Sequence, residues 1–187
     1  MKLPSRKYIK FKYFLFAIKT LYFKALYQGR ITIPSLRIAF EKGCKLILDK
    51  KGEIIFDKNN YFTRHCNIEC YGAKIKFGRN NFFNKNCSIV CRQAVNFGDN
   101  VICGPNVNIY DHNHGIGLHQ GPFVIQDYTS AGITIGNNVW LGANTTVLAG
   151  VKINDNVVVG ANSVVTSDLS SNCLYGGNPA KFIKNLS

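Results

Sequence analysis

The feature that most constrains the fold is a six-residue period that runs unbroken through residues 135–166. Each six opens with an aliphatic residue, usually has Gly in second place, and has a small residue in fifth place. Such a period, sustained over six copies, is typical of parallel β-helices, in which three sixes close one coil. A single coil cannot bury its own apolar face, so the coils must stack and share one core. The opening residues are Ile135, Leu141, Val147, Ile153, Val159 and Val165.

The period extends towards the N-terminus with larger inward residues. We expect coils over residues 56–76, 77–96 and 97–152, and a last coil from residue 153, whereas residues 31–55 are strand-like but out of phase. We place the second residue of each six at a corner with positive φ, which Gly adopts cheaply and Asn tolerates, as at Asn154. The early openers are Phe56, Phe62, Ile68, Phe77, Phe83, Ile89, Phe97, Cys103 and Ile109.

One coil is interrupted by a long insertion. Ile109 and Ile135 are 26 positions apart, where about 6 to 8 would continue the pattern, so roughly 18–20 residues leave the coil. Long loops on rigid scaffolds often carry function, and this loop holds His112, His114 and His119. The predicted architecture is all-β: a helical segment at 1–30, a β-helix at 31–170 with an extruded loop at 111–134, and a tail at 171–187.

The positive charge is concentrated in the N-terminal part. The net charge is +13, and residues 1–58 carry 14 Lys and Arg against 4 Asp and Glu. We predict an aromatic-rich helix over residues 4–27, ending near Gly29. It could cap the first coil, as the open sheet edge requires, or lie on an anionic membrane, although its lysines do not gather on one face. Nothing resembles a nucleic-acid module, so no nucleic-acid partner is expected.

The seven cysteines do not suggest disulfides or a metal site. Their number is odd and no cleavable signal peptide is visible, which favours a reducing cytoplasm, with possible peripheral contact at the inner membrane face. Cys66 and Cys87 both take the fifth place of a six, one coil apart, and Cys70 and Cys91 repeat that spacing. Stacked small side chains explain this pattern without zinc.

Three further stretches carry a resemblance to a known family. They are NNVWLG at 137–142, VGANSVVT at 159–166 and NPAKFIK at 178–184. With the sixes and the His-bearing loop, they resemble the hexapeptide-repeat acyltransferases, in particular the maltose/galactoside and capsular-polysaccharide O-acetyltransferases. The resemblance covers about residues 77–184. It implies a left-handed β-helix and a homotrimer that transfers an acetyl group from acetyl-CoA to a sugar hydroxyl in capsular or surface polysaccharide synthesis, without a metal.

The resemblance also implies which residue activates the acceptor. The family's general base matches His114, and imidazole suits the role because it titrates near neutrality. His112, two residues away, is the alternative base, while His119 is expected at the rim of the site. Asp111 or Asp127 could orient the base, and the sequence does not choose between them.

On the acceptor side, Asn84 matches the family's acceptor-binding Asn. A corner position that favours positive φ would explain this Asn equally well. A few residues later the maltose-type enzymes have an acidic residue, and this chain has Arg92. The departure suggests a different acceptor, which could be anionic.

On the donor side, Trp140 should project outward and line the acetyl-CoA site of a neighbouring subunit, or else anchor the trimer interface. The backbone N–H of Gly142 or Ala143 would donate to the thioester oxygen. The resemblance places four further residues along the pantetheine arm and near the phosphates of coenzyme A: Ala161, Thr166, Lys181 and Lys184.

Two other classes of protein remain as alternatives. A γ-type carbonic anhydrase is also a left-handed β-helix trimer, and the spacing of His114 and His119 resembles part of its metal-ligand pattern. Its third ligand would have to be His65, which is badly placed. The other alternative is a noncatalytic β-helix scaffold.

Overall fold

The computed structural model describes residues 6–34, 38–118, 121–123 and 127–186. They form one helix and a parallel β-solenoid of six turns with three faces. The helix is α1 (Arg6–Leu26). Residues 4–5 of the expected helix and His119 lie outside the described residues.

Each turn contributes one strand to each of three sheets. The first sheet contains β1 (Ile31–Thr32), β4 (Glu53–Phe56), β7 (Lys74–Phe77), β10 (Ala94–Phe97), β15 (Ile133–Ile135) and β18 (Lys152–Ile153). The second contains β2 (Ala39–Phe40), β5 (Tyr61–Phe62), β8 (Phe82–Phe83), β11 (Ile102–Cys103), β16 (Trp140–Leu141), β19 (Val158–Val159), β21 (Cys173–Gly176) and β22 (Lys181–Asn185). The third contains β3 (Lys45–Leu48), β6 (Asn67–Cys70), β9 (Ser88–Cys91), β12 (Asn108–Tyr110), β17 (Thr146–Val147) and β20 (Val164–Val165).

The predicted six-residue register is confirmed where coils stack. Phe56 pairs with Phe77 and Phe77 with Phe97 across the first sheet, and their rings stack with centroids 4.8 and 4.9 Å apart. Phe62 and Phe83 stack in the same way across the second sheet, at 4.6 Å. These side chains are at most 2% exposed apart from Phe97, at 4%. The aromatic rings fill the early coils, as their inward positions predicted.

The predicted conformation of the corners was wrong in detail. Positive φ occurs at the fourth residue of most sixes, for example at Asn138 and Asn156, and not at the second residue, so Asn154 is not such a corner. The second position needs Gly for a different reason: a Cβ on Gly142 would lie 2.5 Å from the backbone nitrogen of Ala161 in the next coil. Coils therefore approach too closely there for any side chain.

The left-handed asparagines also bond to one another from coil to coil. The side-chain amide of Asn106 donates to Asn144 at 2.8 Å, and Asn144 donates to Asn162 at 2.8 Å. Asn tolerates this backbone conformation, and its amide both donates and accepts, so it suits a polar ladder.

The solenoid has a coil before the first one that the period predicted. Ile31 pairs with Ile54, and Phe40 with Phe62, so residues 31–48 form a turn of their own. Its inward residues Ile33 and Phe40 are seven positions apart, which put this turn out of phase in the sequence.

Helix α1 packs over the open end of this first coil. Phe23 lies against Phe40 with ring centroids 5.2 Å apart. The Thr20 hydroxyl donates to the carbonyl of Ile38 at 3.0 Å, and the Tyr27 hydroxyl donates to the carbonyl of Leu46 at 2.8 Å. The helix thus covers an edge that would otherwise be free to pair with another chain. No helix in the described part of the chain reaches the length and hydropathy that a membrane span requires.

The C-terminal segment, expected as a short tail, forms two strands. β21 pairs in parallel with β19 and so adds one more strand to the second sheet. β22 folds back antiparallel to β21 and is exposed along its length.

Candidate active site

The extruded loop is anchored at its root by a buried carboxylate. Asp111 follows β12 in the column that Cys91 occupies one coil earlier, and it is 0% exposed. Its carboxylate accepts the backbone N–H groups of residues 92–94 at 2.8–2.9 Å and the Cys91 thiol at 3.3 Å. A buried carboxylate is tolerated when its oxygens are hydrogen-bonded in this way. Asp111 therefore fixes the point at which the loop leaves the solenoid.

Beyond Asp111 the loop forms a two-stranded antiparallel hairpin, β13 (His112–His114) and β14 (Tyr128–Ser130). Residues 112 and 114 lie on the same face of their strand, because side chains alternate. Tyr128 pairs with His114, with ring centroids 4.6 Å apart, and lies 5.6 Å from the ring of His112. The hairpin thus gathers both imidazoles around one tyrosine.

The two histidines differ in exposure and in partners. The His112 side chain is 13% exposed, and its Nδ1 lies 3.4 Å from the Asp111 carboxylate. His114 is exposed beside Tyr128. Asp127, the other predicted orienting residue, is exposed, and its carbonyl accepts the Gly115 N–H at 2.9 Å. The structure therefore brings Asp111 to His112 and leaves the side chain of His114 exposed.

Arg92 lies in the coil beside the hairpin, between two aromatic rings. The guanidinium carbon is 3.9 Å from the ring centroid of Tyr128 and 5.0 Å from that of Tyr71. The Tyr71 hydroxyl donates to Glu69 at 2.5 Å, and this hydrogen bond raises the pKa of Tyr71. The positive charge thus lies next to the tyrosine that contacts both histidines.

Asn84, predicted to bind the acceptor, and three of the predicted donor residues lie on the opposite edge of the third sheet. Asn84, Gly142, Ala143 and Ala161 follow strands of the second sheet, whereas His112 follows a strand of the third. Asn84 thus lies at the corner before β9, and Arg92 directly follows β9. The structure does not bring Asn84 together with the histidines within one chain.

Hydrogen bonding distinguishes the two candidate oxyanion donors. The Gly142 N–H already donates to the carbonyl of Val159 at 2.8 Å, as part of the ladder between coils. Among the described residues, no acceptor takes the Ala143 N–H. Of these two residues, Ala143 is therefore the one whose backbone N–H is available to donate a hydrogen bond.

The local backbone also revises the interpretation of Asn84. Positive φ belongs to Asn86, not to Asn84, so the expected alternative explanation for Asn84 was wrong. The Asn84 side-chain oxygen accepts the Lys85 N–H at 2.8 Å, and no hydrogen bond of its amide NH₂ group is found among the described residues.

Trp140 projects outward from the second sheet and is 53% exposed. It pairs with Ile102, which pairs with Phe82, and these side chains are 48% and 37% exposed. Together with Tyr61 they form an apolar column along the outer face of that sheet. Such a column is typical of a surface that another protein covers.

The remaining predicted donor residues lie near the C-terminal end of the solenoid. Thr166 directly follows β20 and is exposed. Lys181 and Lys184 are exposed on β22, paired with Gly176 and Leu174. These three side chains are accessible, but they lie on different faces of the solenoid.

The sequence missed the two tyrosines that flank Arg92, because their contacts depend on how the hairpin folds back. A signal for Asp111 did exist, since this Asp continues the column of Cys70 and Cys91. Within the described ranges, no group of three or more His, Cys, Asp and Glu side chains could hold a metal ion. Burial raises the pKa of the Cys103 thiol, which is 0% exposed.

Comparison with known proteins agrees with the class that this solenoid defines. Residues 132–167 match the family described as bacterial transferase hexapeptide (six repeats). The match falls within residues 77–184, the stretch whose motifs resemble the hexapeptide-repeat acyltransferases.

Among its relatives is the putative lipopolysaccharide biosynthesis O-acetyl transferase WbbJ of Escherichia coli K12, which is 33% identical over 49% of this chain and 50% of WbbJ. The structure of a maltose O-acetyltransferase from Clostridium difficile 630 superimposes with a TM-score of 0.59 and 26% identity, covering 97% of this chain and 86% of that one. A galactoside acetyltransferase in complex with coenzyme A gives the same TM-score and identity over 100% and 92%. The chain spans about half the length of the curated relatives it matches.

Proposed function

We propose that this protein is an acetyl-CoA-dependent O-acetyltransferase that acts on a sugar hydroxyl in capsular or surface polysaccharide synthesis. The observation that carries the proposal is the hairpin rooted by Asp111, which presents His112 and His114 at one edge of a hexapeptide solenoid. The relatives named above are a putative O-acetyl transferase, a maltose O-acetyltransferase and a galactoside acetyltransferase, and the last was solved with coenzyme A.

In the proposed reaction His114 takes the proton of the acceptor hydroxyl as that oxygen attacks the thioester carbonyl of acetyl-CoA. The carbonyl oxygen becomes an oxyanion, which the Ala143 N–H stabilises. Collapse of the tetrahedral intermediate breaks the carbon–sulfur bond and releases coenzyme A, with the proton passing from His114 to the sulfur. The exposed ring of His114 supports this role, and Asp111 orients the neighbouring His112.

We propose a homotrimer because the two halves of the site lie on different edges of each chain. His114 of one subunit would meet Asn84, Ala143 and Ala161 of the next. The apolar column of Phe82, Ile102 and Trp140 supplies a surface for such an assembly. Thr166, Lys181 and Lys184 would complete the site for coenzyme A.

The test is to incubate the purified protein with acetyl-CoA and a panel of glycans and to measure their masses. We expect a product heavier by one acetyl group, together with release of free coenzyme A. Hydrolysis of acetyl-CoA without any acetylated glycan would contradict the proposal.

Replacing Trp140 by Ala should raise the KM for acetyl-CoA about tenfold, because an aromatic side chain that a bound partner covers is worth more than about 1 kcal/mol. Steady-state kinetics with acetyl-CoA as the varied substrate measure this. The matched control is Ile102→Ala, its neighbour in the column, which should leave that KM unchanged. If the Trp140→Ala trimer dissociates while the KM stays the same, Trp140 is an interface anchor.

We propose that the protein works at the inner face of the cell membrane, with α1 in contact with anionic lipid. Phe16 and Phe23 are buried against the first coil, so they are not free to enter a bilayer. Among the α1 side chains that the structure describes, those from residue 16 onwards, four large apolar ones are left for lipid and are about half exposed: Ile18, Leu21, Tyr22 and Leu26.

Co-sedimentation with vesicles rich in anionic lipid tests this contact. The intact protein should pellet, and high salt should weaken but not abolish its binding, because basic and apolar contacts both contribute. Leu21→Glu should reduce pelleting strongly, whereas Leu118→Glu, on the distant loop, should not. Equal pelleting of both variants, or no pelleting of the intact protein, would contradict the proposal. A point change is preferable to deleting α1, because deletion would uncover Phe40.

A further inference from the structure

The charge of Arg92 is not neutralised by any described residue. Its guanidinium forms no ion pair or hydrogen bond within the described ranges, and its Nε is buried without a partner. An unpaired buried donor is costly, so its presence calls for an explanation other than stability.

The nearby carboxylates are already occupied. Asp111 binds three backbone N–H groups, among them that of Arg92 itself. Glu69 accepts hydrogen bonds from Tyr71 and from Asn67. The positive charge therefore has stacking partners but no anion.

The guanidinium is also held in place. Tyr128 covers it at 3.9 Å and Tyr71 flanks it at 5.0 Å. Arg92 is half-buried, and its two Nη groups form no hydrogen bond within the described residues and are not fully buried. A planar guanidinium fixed in this way can bind a carboxylate with two parallel hydrogen bonds.

Arg92 lies close to His114, the proposed general base. Tyr128, which covers the guanidinium, is in ring contact with His114 at 4.6 Å. An acceptor whose hydroxyl lies at His114 could therefore extend an acidic substituent towards Arg92. A neutral sugar would leave this cation unpaired.

We infer that Arg92 selects an acceptor sugar that carries a carboxylate, and that Tyr71 and Tyr128 hold its guanidinium ready for that group. The inference rests on the proposed O-acetyltransferase function and narrows its substrate class. A phosphate has matching geometry, so the test includes a phosphorylated sugar. The competing explanation is that Arg92 only clamps the hairpin to the solenoid.

The experiment compares acceptors that differ only at carbon 6: a methyl glycoside, its uronate and its 6-phosphate, in the gluco and galacto series. The measured quantity is kcat/KM for acetyl transfer. The wild-type protein should prefer the uronate over the neutral sugar by about tenfold to hundredfold, the range expected for charge-assisted hydrogen bonds.

Arg92→Gln should abolish this preference and leave transfer to the neutral sugar within about twofold of wild type. Arg92→Lys keeps the charge but loses the planar guanidinium, so it should show an intermediate preference for the uronate. If the Gln variant folds poorly, the Lys variant tests the selectivity in its place. Arg79→Gln is the matched control, since Arg79 is exposed and already paired with Asp99 at 2.7 Å. It should keep the full preference.

Several outcomes would overturn the inference. Equal rates for neutral and acidic sugars in the wild type would show that Arg92 does not select the acceptor, without contradicting the proposed O-acetyltransferase function. An equal loss on all acceptors in Arg92→Gln would show that Arg92 is a clamp. A preference for the 6-phosphate alone would replace the carboxylate by a phosphate. Absence of transfer to any sugar would overturn the proposed function itself.

Discussion

Replacing His114 by Ala is expected to reduce acetyl transfer by about 10²- to 10⁴-fold, the usual contribution of a general base. Binding of coenzyme A and the assembly state should remain close to wild type, because the side chain of His114 is exposed and its ring contact within the described residues is with Tyr128. Single-turnover transfer measures the rate, calorimetry measures coenzyme A binding, and light scattering measures the assembly.

The matched control is His112→Ala. His112 is largely buried and faces Asp111, so its loss should lower the rate by a smaller factor and also disturb the hairpin. The assignment fails if His112→Ala is inactive while His114→Ala retains a near-normal rate. In that case the imidazole oriented by Asp111 is the base.

Replacing Asp111 by Ala is expected to lower the free energy of unfolding by about 3 kcal/mol or more. The change leaves three backbone N–H groups without acceptors inside the protein, and each unsatisfied group costs about 1–3 kcal/mol. Denaturant unfolding of the full chain measures this difference. Activity should fall as well, since the root of the hairpin loses its anchor.

Two controls accompany the Asp111 variant. Asp111→Asn keeps an acceptor oxygen and should be destabilised less than Asp111→Ala. Asp127→Ala removes an exposed carboxylate from the same loop and should change stability by less than about 0.5 kcal/mol. If Asp111→Ala unfolds at the same denaturant concentration as wild type, the anchoring role is wrong.

The repeat made most of the solenoid predictable, because the aliphatic period translates directly into stacked inward columns. The pairing of Phe56 with Phe77 follows from counting in sixes. The expectation of a single coil over residues 97–152 was wrong, because Ile109 pairs with Val147 and β12 and β17 therefore belong to successive turns. The first coil escaped this counting because it has an extra residue before Phe40. The corner prediction failed because Gly has two uses, and periodicity alone does not separate positive φ from close approach between coils.

The site was predictable only where it coincides with the repeat. His112 and His114 stood out because they fall in the single long insertion. Their environment could not be predicted, because Tyr128 contacts them only when β13 pairs with β14. The choice between Gly142 and Ala143 also required the ladder of hydrogen bonds, which occupies one of the two N–H groups.

The junction at which the extruded loop leaves the solenoid determines how freely the loop can vary in length and sequence. The Ala131 N–H donates to the carbonyl of Asp111, and the Gly150 N–H donates to the carbonyl of Ala131, both at 2.9 Å. The chain thus leaves and re-enters the solenoid at a closed junction, and Val95 still pairs with Ile133 on the far side. Residues beyond that junction can be lengthened, shortened or exchanged without shifting the register of a single coil. The length of the loop and the stability of the solenoid are therefore encoded in separable parts of the sequence.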